Sequence, residues 1–292
     1  MNYQDLIHSP ILSPGVGKLV QKCARSHVPV LIQGEPGTGK ELIAKAIHQT
    51  GDWRSSLFYR MDCQVLEAEG LSPYLSGLLE KIHFGAIPAT LYLNEVGHLR
   101  PIDQFILLEL VEDGLFQNGA EKKPIKNIRI ISSTSENLEE KVGRGDFSQD
   151  LYLRLKTLAI HLPPLRERSR EIPAIAQYLL EENVKQLKIR KMGISPNVLR
   201  LLESYWWPGN LKELEQVIVR SAVFSEGEII MEKDLTIEHG MDKDPFFSFI
   251  EKAETKSAPP PQVEPSTRSS NGIHFSDPSA EGSEKWIPLD ER

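Results

Sequence analysis

Gly34-Glu35-Pro36-Gly37-Thr38-Gly39-Lys40-Glu41 decides the fold of this chain, because of what flanks it. The short apolar run Val28-Pro29-Val30-Leu31-Ile32 precedes it, and the helix-like run Glu41 to His48 follows. Strand, glycine turn, lysine and helix in that order make a cradle for phosphate. The glycines let successive backbone N–H groups turn inward, the helix N-terminus adds its positive dipole end, and Lys40 reaches the outer phosphates. The match to G-x-x-x-x-G-K is complete, but Glu41 stands where a Ser or Thr hydroxyl would touch Mg²⁺. A chance glycine turn would not need both flanks. The residues point to a chain that binds a nucleoside triphosphate or descends from one that did.

The 292 residues suggest about two domains. Lys and Arg total 34 against 41 for Asp and Glu, a net charge of −7, which argues against non-specific DNA binding through a basic face. Cys23 and Cys63 are the only cysteines, each in an apolar stretch, and fit reduced thiols better than a disulfide framework. Met1-Asn2-Tyr3-Gln4-Asp5 lacks the basic start of a signal peptide, and no run approaches the roughly 18 apolar residues of a membrane span. The expected location is cytoplasmic, with no membrane contact.

Apolar strands alternate with amphipathic segments from Leu6 to about Pro164, the pattern of an α/β protein with a doubly wound parallel sheet. Strands are expected at Val30–Gln33, Phe58–Asp62, Thr90–Asn94, Ile128–Ser132 and Leu158–His161, and helices at Gly15–Ser26, Lys40–Gln49 and Ile102–Asp113. After Pro163-Pro164, the runs Glu171–Glu182, Pro196–Ser204 and Leu211–Phe224 carry helical spacing only, which predicts a small all-helical second domain. The expected division is 1–164 for the core, 165–239 for the helical domain and 240–292 for a tail. The tail is rich in Pro, Ser, Glu and Thr and reads as mostly disordered, with apolar islands at Asp244–Ile250 and Trp286–Leu289.

Thr90-Leu91-Tyr92-Leu93-Asn94-Glu95 supplies the second nucleotide element. In P-loop ATPases an apolar strand ends in an acidic pair, of which the first member holds Mg²⁺ and the second orients the attacking water. Here the first is Asn94 and only Glu95 keeps its charge. Exchanging a carboxylate for an amide removes a charge-assisted contact worth roughly 1.5–3 kcal/mol, so metal affinity falls while shape is kept.

Taken with the later segments, these residues resemble the AAA+ domain of the sigma-54-dependent transcriptional activators, the bacterial enhancer-binding proteins. The likeness runs from about Ile7-His8-Ser9-Pro10 to Asp234. Gly34 to Glu41 is similar to that family's GESGTGKE. Leu162-Pro163-Pro164-Leu165-Arg166-Glu167-Arg168 is similar to its LPPLRER linker, and Trp207-Pro208-Gly209-Asn210-Leu211-Lys212-Glu213-Leu214 to its WPGNxREL lid motif. The resemblance implies an AAA+ core followed by a helical lid, with ATP and Mg²⁺ as cofactors. It assigns Gly34, Glu35, Pro36, Gly37, Thr38, Gly39, Lys40 and Glu41 to nucleotide binding, with Lys212 where the lid arginine reads the nucleotide. Glu95 is implied as catalytic. Arg154, within the DLYxRL-like Asp150-Leu151-Tyr152-Leu153-Arg154-Leu155, is implied as an arginine finger for a neighbouring subunit. Solvated helix-face charges are the alternative reading for Arg154 and Lys212. Arg166, Arg168 and Arg170 read as partners in structural ion pairs. Ser135 stands at the sensor position in place of a larger polar residue.

The family's Asn-Cys before the second element is Asp62-Cys63 here, so the carboxylate has moved to the strand beside Asn94. Asp62 and Asn94 then either share the metal-facing role, with Asp62 restoring charge, or mark drift in a site no longer used for hydrolysis. Two family features are missing. Gln64 to Ala89 contains no GAFTGA loop, and no helix-turn-helix follows the lid, so direct DNA binding is not expected. The resemblance leaves a transcription-regulatory ATPase with impaired hydrolysis, self-associating into a ring or partial ring and contacting a sigma factor or another regulatory protein. The alternative is a non-hydrolysing pseudo-ATPase acting as a protein-binding module.

Overall fold

The computed structural model describes residues 3–66, 70–83, 86–118, 121–187 and 192–236. The expected tail and its apolar islands lie outside them. Two helices open the chain, α1 (Tyr3–Ile7) and α2 (Pro14–Ala24), followed by β1 (Val30–Gln33), α3 (Lys40–Thr50) and β2 (Leu57–Asp62). Next come α4 (Leu71–Lys81), β3 (Ala89–Asn94), α5 (Pro101–Glu112), the hairpin β4 (Leu115–Asn118) and β5 (Glu121–Pro124), and β6 (Ile128–Thr134). The core closes with α6 (Leu138–Arg144), α7 (Gln149–Leu155) and β7 (Leu158–His161). Five strands form one parallel sheet in the order β2-β3-β6-β1-β7.

The buried strands explain that order. Val30, Leu31 and Ile32 of β1 and Leu91, Tyr92 and Leu93 of β3 are inaccessible to solvent, as strands covered by helices on both faces must be. Each large apolar side chain so buried contributes about 1.5–3 kcal/mol. β2 is exposed or half-buried along its length and serves as an edge. Since β1 lies between β6 and β7, the loop after it opens at the carboxyl end of the sheet where connections diverge, the place for a ligand in such folds. Register sets Asp62 opposite Asn94.

Between Gln64 and Ala89 the described residues include the helix α4. Its first turn is fixed by a distant group: buried Asp103 on α5 accepts the Leu71 N–H at 2.8 Å and holds Arg100 Nε at 2.7 Å. Gly70 turns the chain at φ +75°, where a Cβ would strike the Arg100 guanidinium. Arg129 on β6 is fully buried and donates to the Cys23 and Ala24 carbonyls, capping the C-terminus of α2. Cys23 and Cys63 are free and buried; burial raises both thiol pKa values, so neither is a reactive thiolate.

Beyond Pro164 lie α8 (Ile172–Leu187), α9 (Pro196–Ser204) and α10 (Asn210–Phe224). Ser195 caps α9 by accepting the Val198 N–H at 3.2 Å, with Pro196 in the first turn. The lid departs from an all-helical one by a two-residue parallel ladder between β8 (Gly193–Ile194) and β9 (Ile229–Ile230).

Candidate nucleotide site

Three segments meet at the carboxyl end of the sheet: the loop from Gly34 to Lys40, the end of β3, and the start of α10. Gly37 and Gly39 have φ values of +80° and +96°, conformations that an L side chain resists, and Gly39 caps α3. Thr38 closes the turn by donating its hydroxyl to the Glu35 carbonyl at 2.7 Å. Lys40 is buried. Its Nζ donates to the carbonyls of Gly34 at 2.8 Å and Glu35 at 3.2 Å, and lies 3.0 Å from Glu95 Oε1.

Glu95 follows β3 in the left-handed conformation, φ +57°, a strain of about 1–3 kcal/mol that the surroundings must hold. Its Oε2 accepts the Ser135 N–H at 2.7 Å and the Ser135 hydroxyl at 2.8 Å. Burial opposes the Glu95 charge, but the Ser135 bonds and Lys40 outweigh it and hold the carboxyl below the usual range. Glu95 is therefore ionised and aimed.

Asn94 and Asp62 do meet, and the direction of their bond is informative. A carboxylate only accepts, so the Asn94 amide turns its NH₂ to Asp62 Oδ2 at 3.1 Å. The Asn94 carbonyl oxygen faces away and accepts from the Tyr92 and Ser133 hydroxyls at 3.1 and 3.2 Å. Burial pushes the Tyr92 phenol up, so it stays a donor. Asp62 also takes Arg60 Nη2 on Oδ2 at 2.8 Å and the Gln64 N–H on Oδ1 at 3.2 Å. Glu41 is committed too, at 2.7 Å to Lys45 and 3.1 Å to Arg60 Nε. Among the described residues no cluster of three or more His, Cys, Asp or Glu side chains is arranged to hold a metal. These donors do not fit a tightly held Mg²⁺: the Asn94 oxygen is averted and each carboxylate oxygen already has a partner.

The lid touches the loop main chain to main chain. The Lys212 N–H donates to the Gly37 carbonyl at 3.2 Å, and a Cβ on Gly37 would lie 2.1 Å from the Gly209 carbonyl oxygen. Buried Asn210 donates to the Pro36 carbonyl at 2.9 Å and to Glu35 Oε2 at 3.3 Å, while its own oxygen accepts the Leu165 N–H at 2.8 Å. Arg166 grips the Glu35 carboxylate with two bonds, 2.7 and 2.5 Å, and lies over the Trp206 ring. The Arg166 hydrogen bond, above all, lowers the Glu35 pKa. Glu35 is thus a lid contact, a role the loop motif alone does not reveal. Arg168 pairs with Glu171 and donates to the carbonyls of Pro10 and Ile11, strapping the N-terminal segment to the lid. A cleft of about 820 Å³ lies there, lined by Ile7, His8, Pro10, Lys18 and Arg170 among others.

Of the residues singled out from sequence, Lys40, Glu95, Asn94 and Asp62 cluster at the sheet end and Lys212 lies beside Gly37. Arg154 stands elsewhere, exposed on α7 and paired with Glu112 at the end of α5. Sequence reasoning missed Arg60, whose two-residue offset from Asp62 on one strand face was the available signal.

The family model for the sigma-54 interaction domain matches residues 13–161, and that for the AAA+ ATPase lid domain matches residues 166–244. A Nif-specific regulatory protein of Azotobacter vinelandii is 36% identical over 237 residues, covering 77% of this chain and 45% of the relative. The anaerobic nitric oxide reductase transcription regulator NorR of Aeromonas salmonicida is 38% identical over 231 residues, covering 74% and 45%. The chain therefore spans about half the length of these curated relatives. The crystal structure of NtrX from Brucella abortus in complex with ATP superposes with a TM-score of 0.67 at 26% identity, covering 83% of this chain and 59% of that one. Among the described residues no helix is long and apolar enough to cross a membrane. By its match over residues 13–161, its AAA+ sheet and its lid, this chain belongs to the sigma-54 interaction domain family.

Proposed function

We propose that this chain binds ATP between the Gly34–Lys40 loop and the lid, and works in transcriptional regulation with hydrolysis slow or absent. The observation that carries this reading is the buried Lys40–Glu95 pair at 3.0 Å, on the loop whose Gly37 carbonyl accepts the Lys212 N–H. The Lys40 ammonium can exchange Glu95 and two carbonyls for phosphate oxygens. Glu95, released, is the carboxylate able to orient a water. The NtrX complex with ATP supports the ligand class. The cleft beside the lid offers room for a base.

Arg154 is proposed to complete a neighbour's site when copies associate, since its 55% exposed side chain leaves it reachable. A sigma factor is the protein partner to test first, on the family match. The non-hydrolysing reading is favoured by one observation: the position that should hold the metal presents an amide NH₂ toward Asp62.

Thermal melting with and without ATP tests binding. Ligand at 100 times its dissociation constant adds about 2.7 kcal/mol of stability, and no shift would refute the nucleotide reading. Phosphate release measured against protein concentration separates the two forms. A steep rise means a working interface finger, and zero release with a clear melting shift means a pseudo-ATPase.

A further inference from the structure

We propose that the Arg60 guanidinium takes the place of the divalent metal at this site, so that nucleotide binds with little dependence on Mg²⁺. This rests on the nucleotide reading above. Arg60 bridges the two residues that flank the metal side of a P-loop site. One is Glu41, next after the loop lysine; the other is Asp62, the register partner of Asn94. Arg60 therefore sets a monovalent cation between Glu41 and Asp62, the positions from which a P-loop protein would turn a hydroxyl and a carboxylate toward a divalent one.

Every acceptor near it is engaged. Glu41 meets Lys45 and Arg60, Asp62 meets Arg60, Asn94 and Gln64, and Glu95 meets Lys40 and Ser135. Glu41, Asp62 and Glu95 carry three negative charges, and Lys40, Lys45 and Arg60 carry three positive ones. The cluster is neutral before any ligand arrives, so the protein adds no excess negative charge of its own to hold a hard cation beside the phosphates. Asn94 could offer its oxygen only by rotating its amide, which would turn that oxygen against Asp62 and give up both hydroxyl donors. The exchange of Asp for Asn at the end of β3 and of Asn for Asp at the end of β2 has one physical outcome: the carboxylate is satisfied from within the chain.

The test is titration calorimetry of ATP into the full chain, once with Mg²⁺ and once with excess EDTA. The expected dissociation constants agree within about threefold, and a loss of about tenfold or more in EDTA overturns the proposal. Arg60→Gln, on a half-exposed side chain, should create a metal requirement, with binding in EDTA about tenfold weaker than in Mg²⁺. If Arg60→Gln keeps the two constants equal, the assignment to Arg60 is wrong. Melting curves verify that the variant is folded. Absence of heat in both buffers would sink the nucleotide reading and this inference together, whereas binding that needs Mg²⁺ sinks this one alone.

Discussion

Asn94→Asp should destabilise this protein, although it would restore the residue expected at that position of a P-loop ATPase. The new carboxylate would face Asp62 across the β2–β3 register, where the amide now donates at 3.1 Å. Two unit charges about 4 Å apart repel by about 4 kcal/mol at an effective dielectric of 20. Partial exposure of Asp62 and the Arg60 countercharge reduce this, and loss of the amide hydrogen bond adds to it, for an expected net cost of about 1–2 kcal/mol. Urea unfolding in EDTA at neutral pH measures it as a lower midpoint with unchanged slope. Asp62→Asn added to Asn94→Asp should recover most of the loss, since a carboxylate and an amide face each other again. The pH dependence has a fixed sign. The repulsion needs both carboxylates ionised, so the penalty is full at neutral pH and disappears in acid once they are protonated. An Asn94→Asp protein as stable as the parent, or a double variant no better than the single one, would refute the reasoning.

Other substitutions probe the lid and the proposed interface. Glu35→Gln breaks the two-bond grip of Arg166, and hydrogen exchange should rise at Leu165 and in the first turn of α10 while the sheet stays protected. The same carboxyl is held low by Arg166, so its contribution is present above about pH 4.5 and is lost as pH falls through the lowered folded value; acid melts of parent and E35Q should converge there. Gly37→Ala places a methyl 2.1 Å from the Gly209 carbonyl at φ +80°, and should cost about 1–3 kcal/mol or detach the lid, read by urea unfolding and by protease cleavage near the linker. Arg154→Ala removes only an exposed pair worth about 0–1 kcal/mol, so the melting temperature should hardly move while any concentration-dependent ATP turnover disappears.

Much of the core was legible because its signals are local. β1 and β3 are continuous apolar runs of strand length beside turn residues, and α3 opens directly after its glycines. α4 was not legible. It contains Pro73 and Gly77, both poor in helix interiors, and its N-terminal cap comes from Asp103 on another helix. Pro73 is tolerated because it lies in the first turn, where its missing N–H had no helical partner to lose. The β4–β5 hairpin and the short α6 and α7 were not anticipated either, being brief elements with little periodicity of their own. At the candidate site, the motif reading named Lys40 and Glu95, which lie 3.0 Å apart, and Lys212, whose main-chain N–H meets the Gly37 carbonyl. It could not foresee that Glu35 belongs to the lid through Arg166, because that contact needs the lid docked. Nor could it see that Arg60 claims Asp62, because that depends on strand register and side-chain direction.

Asp103 has a mechanical consequence. From Glu95 the chain runs through a single turn of tight helix to Arg100, and Arg100 shares the Asp103 carboxylate with the first amide of α4. The glutamate and α4 are thus joined by a short stretch of chain and one shared carboxylate. One carboxylate serves both ends of the link, and Asp103→Asn is the single substitution that would loosen the first turn of α4 and Arg100 together.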